Sequence, residues 1–287
     1  MLLSFARKGL IFVFLFFAAM IILWGTPSFA ADSASLTADS MRYDPKTRKI
    51  TASGGVRLVS KEGELFADKG TGFIDDNRFE LSGKIRGHFK EQYASQPVDM
   101  TCDSLNLVTS SDNITRVVTA SGGVKLKRGA ETISAKKITL TLGTDNYKAE
   151  GGVTADMEDF FIDADVAERA DMNFYALNVR RYEDRERRMT VSAPRVDGEL
   201  EQNDITELIA SGGVTADVTG ADGARTRITG KRVIYSLARG TIVLSGGASA
   251  VQGGRVLRAE NIVYNVESGR AEAIGERPSL TFVLPEK

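Results

Sequence analysis

Beyond residue 30 the chain is written in short runs where apolar and polar residues alternate. Ile138, Leu140 and Leu142 are interleaved with Lys137, Thr139 and Thr141. Ala52, Val56 and Leu58 fall on one side of a run whose other side carries Thr51, Ser53 and Arg57. A period of two places successive side chains on opposite faces of an extended backbone, so these runs predict β-strands with one dry and one wet face. Between them stand segments such as Asp44-Pro45-Lys46-Thr47 and Gly143-Thr144-Asp145-Asn146. Their residue types favour tight reversals through fixed dihedrals and local side-chain hydrogen bonds.

Two short patterns alternate along these strands. In the first, a small residue is usually followed by a charged one and then by apolar residues at alternate positions. Examples are Ala38-Asp39-Ser40-Met41-Arg42-Tyr43, Cys102-Asp103-Ser104-Leu105-Asn106-Leu107 and Ala259-Glu260-Asn261-Ile262-Val263-Tyr264. Eight copies are found, starting at Ala38, Ala67, Cys102, Ala135, Ala164, Ala193, Gly230 and Ala259. The second pattern centres on a glycine pair, as in Ala52-Ser53-Gly54-Gly55-Val56 and Ala120-Ser121-Gly122-Gly123-Val124. Six of the eight units count 16 residues from the small residue to the leading glycine slot, including degenerate slots near Arg180 and Gly275. The stretches 102–122 and 193–212 carry a few extra residues.

A fixed period of this length marks a repeat architecture, here strand, turn, strand. Glycine pairs inside a strand mark a bulge, a sharp bend or a close backbone approach, so the sheet is expected to fold over at each pair. One unit cannot bury its apolar face alone, whereas a stack can. The predicted fold class is all-β: a repeat-built open β-jellyroll of two facing antiparallel sheets, with about 16 strands around a long apolar interior. At the usual strand spacing, eight rungs give a trough on the order of 40 Å. Its ends would be open sheet edges, which invite end-to-end self-association or docking onto similar partners.

The first thirty residues follow a different plan. Arg7 and Lys8 precede an apolar run from Leu10 to Trp24, and Ser28-Phe29-Ala30 places small residues where a signal peptidase reads. The expectation is a signal peptide over 1–30, with an uncleaved N-terminal anchor as the alternative because the run is only slightly short of a bilayer span. Either reading puts the bulk of the chain outside the cytoplasm. The balance of 37 basic and 38 acidic residues lacks the basic footprint of a nucleic-acid binder. Cys102 is the single cysteine, so no internal disulfide forms. It occupies a slot held by alanine or glycine in the other units, which assigns it to packing.

Candidate chemistry is sparse. His88 is the only histidine, so a multi-histidine metal site is not available and a serine triad would depend on it alone. Carboxylate pairs such as Asp75 with Asp76, Glu158 with Asp159, and Asp163 with Asp165 could in principle serve glycoside hydrolysis, which needs two carboxyls at a set separation. They fall where turns or wet faces are expected. The run Arg180 to Arg188 holds five basic and three acidic residues. It offers guanidinium groups for phosphate, or simply a solvated strand.

The first unit, Ala38-Asp39-Ser40-Met41-Arg42-Tyr43-Asp44 followed by Ile50-Thr51-Ala52-Ser53-Gly54-Gly55-Val56-Arg57-Leu58, resembles the repeat of the OstA-like lipopolysaccharide-transport family, which includes LptA, LptC and the N-terminal domain of LptD. The resemblance extends through units of the same type over nearly all of the chain after residue 30. It implies a periplasmic protein, not an enzyme and without a cofactor. In such a protein an apolar β-trough shields the acyl chains of lipid A and passes them toward the outer membrane, the sugars staying in solvent. The implied partners are lipopolysaccharide and other transport proteins joined through sheet edges. The expected lipid path is Val56, Leu58, Ile85, Val124, Leu126, Ile138, Leu140 and Val153, with Arg57, Lys125 and Lys137 facing outward. The length suggests two modules, 31–178 and 179–287, possibly continuous. A carbohydrate-active β-repeat enzyme and a structural surface repeat protein are the alternatives.

Overall fold

In the computed structural model the described residues are 35–281, apart from 60–62, 74, 77, 90–96, 110–115, 143–145, 159, 202–203, 221–222 and 237. The expected signal or anchor over 1–30 lies outside them. Every regular element among them is a β-strand, in agreement with the period of two. The chain divides into two compact units, 35–155 with 168–171, and 156–167 with 172–281. The junction expected at 178/179 falls inside a strand of the second unit.

The first unit begins with two short strands, β1 (Ser35–Thr37) and β2 (Ser40–Asp44), both paired antiparallel to β3 (Lys49–Val59). There follow β4 (Gly63–Phe73), β5 (Arg78–Phe89), β6 (Val98–Thr109), β7 (Arg116–Arg128), β8 (Glu131–Leu142) and β9 (Tyr147–Asp156). From β3 to β8 each strand pairs antiparallel with the next. Bulges interrupt the ladder at the glycine pairs. Gly54 and Gly55 lie between the pairs Ser53↔Lys69 and Val56↔Ala67, so two residues of β3 face Asp68 alone.

The bulge explains the residue, usually charged, that follows the small one in each unit. Gly54 has φ 74° and Gly122 φ 83°, a left-handed backbone that favours glycine. An added Cβ would meet Asp39 Oδ2 at 2.3 Å at Gly54 and the Asp103 side chain at 2.4 Å at Gly122. The aspartate of one strand therefore rests on the bare glycine of the next, and the two patterns are the halves of one contact.

The second unit contains β10 (Phe160–Ala170), β11 (Asn173–Asp184), β12 (Met189–Glu201), β13 (Asp204–Thr219), β14 (Arg225–Ser236), β15 (Thr241–Gln252) and β16 (Arg255–Asn265). Two short strands, β17 (Ala271–Ile274) and β18 (Ser279–Thr281), both pair with β16. From β11 to β16 the pairing is again consecutive and antiparallel. In the degenerate fifth unit the slot is filled two residues before Arg180. Asn178 adopts φ 51° there, and its side-chain amide donates to Asp165 Oδ2 at 2.8 Å. Asparagine is one of the few side chains that tolerates this conformation.

The ladder of the second unit is folded across its width. Thr226 lies near the start of β14 and Tyr235 near its end, and Tyr264 is level with Tyr235 through Ile242. A flat ladder would hold these two ends about 30 Å apart. Yet the Tyr264 hydroxyl is 3.4 Å from Thr226 Oγ1, and both residues are buried. The core of this unit consists of the residues inside the fold, including Val214, Ile228, Leu244 and Ile262.

Candidate functional site

In the first unit the inward side chains form cross-strand rows set by register. One row runs Ala52, Gly70, Leu81, Leu105, Ala120, Ile138, and its neighbour Ile50, Gly72, Phe79, Leu107, Val118, Leu140. Beyond the bulges come the pairs Val56↔Ala67, Ile85↔Cys102 and Val124↔Ala135, and then the row Leu58, Leu65, Gly87, Met100, Leu126, Ile133. The eight residues expected on the lipid path are all in this interior, seven within these rows and Val153 on β9, and none exceeds 5% exposure. Arg57, Lys125 and Lys137 are exposed.

The second unit offers an interior of the same kind that the eight residues do not include. Val214, Ile228, Leu244 and Ile262 are at most 2% exposed. The signal for them was present, because Val214 follows a glycine pair as Val56 and Val124 do, and Ile262 stands in its unit as Leu105 does.

Small inward slots either leave room for a ligand or allow tight packing. At Gly70 an added Cβ would lie 3.4 Å from Leu81 and 3.6 Å from Val56, and at Gly72 it would lie 3.5 Å from Phe79. Neighbouring side chains therefore close over these slots to ordinary van der Waals distance. The rows end differently at the chain's two ends. Met41 and Tyr43 occupy the inward slots of β2, opposite Ala52 and Ile50, but are 57% and 53% exposed. Their repeat equivalents Leu105, Leu107, Ile138 and Leu140 are at most 6% exposed. Among the described residues, the interior of the first unit is thus uncovered at its N-terminal edge, and Leu280, paired with Leu257 on the last described rung of the second, is exposed at 60%.

Arg128, at the β7–β8 turn, is buried and donates to Glu131 Oε2 at 2.8 Å. Cys102 is buried, and burial first, then the Asp103 carboxylate, pushes its thiol up to about 11. The thiolate is the reactive form, so Cys102 is inert at neutral pH in the folded chain. We expect a maleimide to modify it in denaturant and to leave it unmodified under native conditions over hours; equal rates would contradict its packed position.

The acidic pairs serve turns and ion pairs. Asp75 is bound by Arg48 at 2.9 Å, and Asp163 and Asp165 are both bound by Arg180. Asp159 lies outside the described residues. In the basic run, Arg181 pairs with Glu183, Arg185 with Asp156 at 2.7 Å, and Arg187 with Asp184 at 3.1 Å. His88 is exposed on the outer face, with Nδ1 2.8 Å from Asp99 Oδ1 on the next strand. Its row continues to Glu64 and Lys127, so no serine is paired beside it there.

Comparison with known proteins bears on this interior. The sequence model of a family described as LptA/(LptD N-terminal domain) LPS transport protein matches residues 103–270, more than half of the chain. No curated protein matches. Among solved structures, the chain is matched with LptH from Pseudomonas aeruginosa, the LptA-homologous periplasmic component of the lipopolysaccharide transport device. The identity is 12% and the TM-score 0.21, over 91% of this chain and 100% of that one.

Proposed function

As the chain belongs to the LptA/LptD N-terminal domain family of lipopolysaccharide-transport proteins, we propose that it works in the periplasm and carries lipopolysaccharide with the lipid A acyl chains inside its folded sheets. The observation that carries this reading is the segregation of the faces. Rows of apolar side chains, buried except for the half-buried Ile50 and Phe79, line one side of β3–β8, while the opposite side holds Arg57, Lys125 and Lys137. In this reading each unit is a trough with two facing walls, as an open jellyroll, and Val56, Leu58, Ile85, Val124, Leu126, Ile138, Leu140 and Val153 line the lipid path. Contacts among the inward side chains, such as those around Gly70, give way to acyl chains, a swap of like for like. Each methylene shielded from water contributes about 0.8 kcal/mol, and no covalent step is needed.

The exposed Met41 and Tyr43 at the N-terminal edge, and Leu280 at the other, support hand-over through the ends. A sheet edge that joins another of its kind extends the ladder and continues the apolar rows. Other transport proteins of the family, or a second copy, are the partners this suggests.

Photo-crosslinking residues placed singly at the eight interior positions are expected to capture lipopolysaccharide in cells, while those at Arg57, Lys125 and Lys137 capture none above background. Equal capture from both sets would refute the assignment of faces.

A further inference from the structure

Register in the second unit lines up one inward row whose chemistry changes step by step toward the C-terminal end: Met189, Val218, Thr226, Gln252, Arg255. Met189, Val218 and Thr226 are buried, Gln252 is half-buried and Arg255 is exposed. Gly253 and Gly254 fix the last step. Both have positive φ, 52° and 79°, which is the dihedral signature of a two-residue type I′ turn. It sets Arg255 directly opposite Gln252, so that both side chains fall on the inner side of the sheet. The adjacent inward row does not change in this way. It runs Ala216, Ile228, Ala250, Leu257, Leu280 and remains apolar to the end.

A cavity of about 280 Å³ lies where these rows finish, and its walls include Thr226, Gln252, Arg255, Leu257, Tyr264 and Leu280. The polar wall is preorganised. Thr226 Oγ1 accepts from Gln252 Nε2 at 3.0 Å and stands 3.4 Å from the Tyr264 hydroxyl, while Thr226 and Tyr264 are 3% and 1% exposed. On the outer face of the neighbouring strand, Arg225 and Arg227 share Asp217. Among the described residues Arg255 has no carboxylate at ion-pair distance, so within them the one guanidinium in the cavity wall has no counter-charge.

We propose that this cavity binds the anionic head, phosphate or carboxylate, of an amphiphile whose chain lies along Ala250, Leu257 and Leu280, with Arg255 as the charge partner and Gln252 and Thr226 as the hydrogen-bonding wall. A guanidinium pairs with such groups through two parallel N–H donors. The apolar row beside it accepts the chain. The inference rests on the reading of the interior as a lipid path and adds a place on that path where charge is recognised.

Calorimetric titration of the whole protein with dodecyl phosphate, dodecyl maltoside and inorganic phosphate, the detergents below their critical micelle concentrations, tests it. Dodecyl phosphate is expected to bind, and Arg255→Gln to weaken it about tenfold while leaving dodecyl maltoside unchanged; loss of one charge-assisted contact has this size. Thr226→Val should give a smaller loss. Arg258→Gln, on the outward side of the same strand, should give none. If Arg255→Gln leaves dodecyl phosphate unchanged, or weakens both detergents equally, the anion site is refuted and the apolar path stands. If inorganic phosphate binds as tightly as dodecyl phosphate, the site takes free anions and the amphiphile is refuted. If neither detergent binds the unsubstituted protein, the lipid path itself falls, and the site with it.

Discussion

Replacing Val124 by aspartate is expected to abolish lipopolysaccharide capture by the first unit and to destabilise that unit by roughly 4 kcal/mol, the cost of an unpaired carboxyl in a dry interior after partial relaxation. Val124 is 1% exposed and is paired with Ala135, which is itself buried. Domains are stable by about 5–15 kcal/mol, so this change takes a large part of the margin. The loss should be smaller at pH 4.5 than at pH 8, because an introduced carboxyl in apolar surroundings has a raised pKa and is less costly when protonated. Lys125→Asp, one residue away and outward, should change stability by no more than about 0.5 kcal/mol, as surface substitutions do. Val124→Thr keeps the shape and adds one hydroxyl. It should fold, lose about 1–2 kcal/mol and reduce lipid capture, which separates the lipid path from a simple folding defect. Urea unfolding followed by photo-crosslinking at Leu126 measures both quantities. Unchanged stability and unchanged capture in Val124→Asp would show that position 124 does not face a dry interior.

Much of this was legible in the sequence because the side-chain period of a strand is two and the repeat keeps its phase. Val56, Ile85 and Val124 all follow a glycine slot by one or two residues, and the same parity assigns Leu58 and Leu126. The bulge keeps that parity, since two residues of β3 replace one opposite Asp68, and for this reason the inward residues on both sides of Gly54-Gly55 could be read as one set. Cys102 was legible as packing because its slot holds a small residue elsewhere.

Other features depend on contacts that no local pattern encodes. The pairing of Asp39 with Gly54 and of Asp103 with Gly122 joins adjacent strands, and either half alone looks like an ordinary turn or surface residue. Asn178 escaped because a slot counted at Arg180 was filled two residues earlier, across the short reversal at Asp171 and Met172 between β10 and β11. Met41 and Tyr43 have the same pattern as Leu105 and Leu107, and only the absence of a further rung beyond β2 among the described residues exposes them. The division of the chain after 155 has no signature either, because Val153 and Ala155 read as any other inward slots. The approach of Tyr264 to Thr226 follows from the fold across the ladder, which sequence spacing does not specify.

Among the described residues of the second unit Asp184 is the buried carboxylate, and its removal should be nearly as costly as a charge at Val124. Asp184 is 5% exposed at the end of β11. Its Oδ1 accepts the backbone N–H of Arg187 at 2.9 Å and its Oδ2 accepts the Arg187 guanidinium at 3.1 Å. Burial pushes the phenol of Tyr235, near the far end of β14, up to about 12, against the opposing pull of Arg187. The phenol is therefore neutral at any physiological pH and leaves Asp184 as the main counter-charge of a half-buried guanidinium. Asp184→Ala leaves that guanidinium with only the exposed Glu186 carboxylate, 3.3 Å away, and removes the turn's acceptor, with an expected loss of about 3 kcal/mol, at the lower end of the cost for breaking a buried pair because Arg187 retains some solvent. Replacing both partners avoids the stranded charge. The double variant Asp184→Ala with Arg187→Met should recover at least half of the loss, whereas additive behaviour of the two single variants would mean that the pair does not act as a unit. Hydrogen exchange at the Met189↔Val218 rung beside this turn should accelerate in the single variant and return toward the original rate in the double one. If Asp184→Ala unfolds within about 0.5 kcal/mol of the parent protein, as an exposed pair would, water screens the cluster and the pair does not contribute to the stability of the unit.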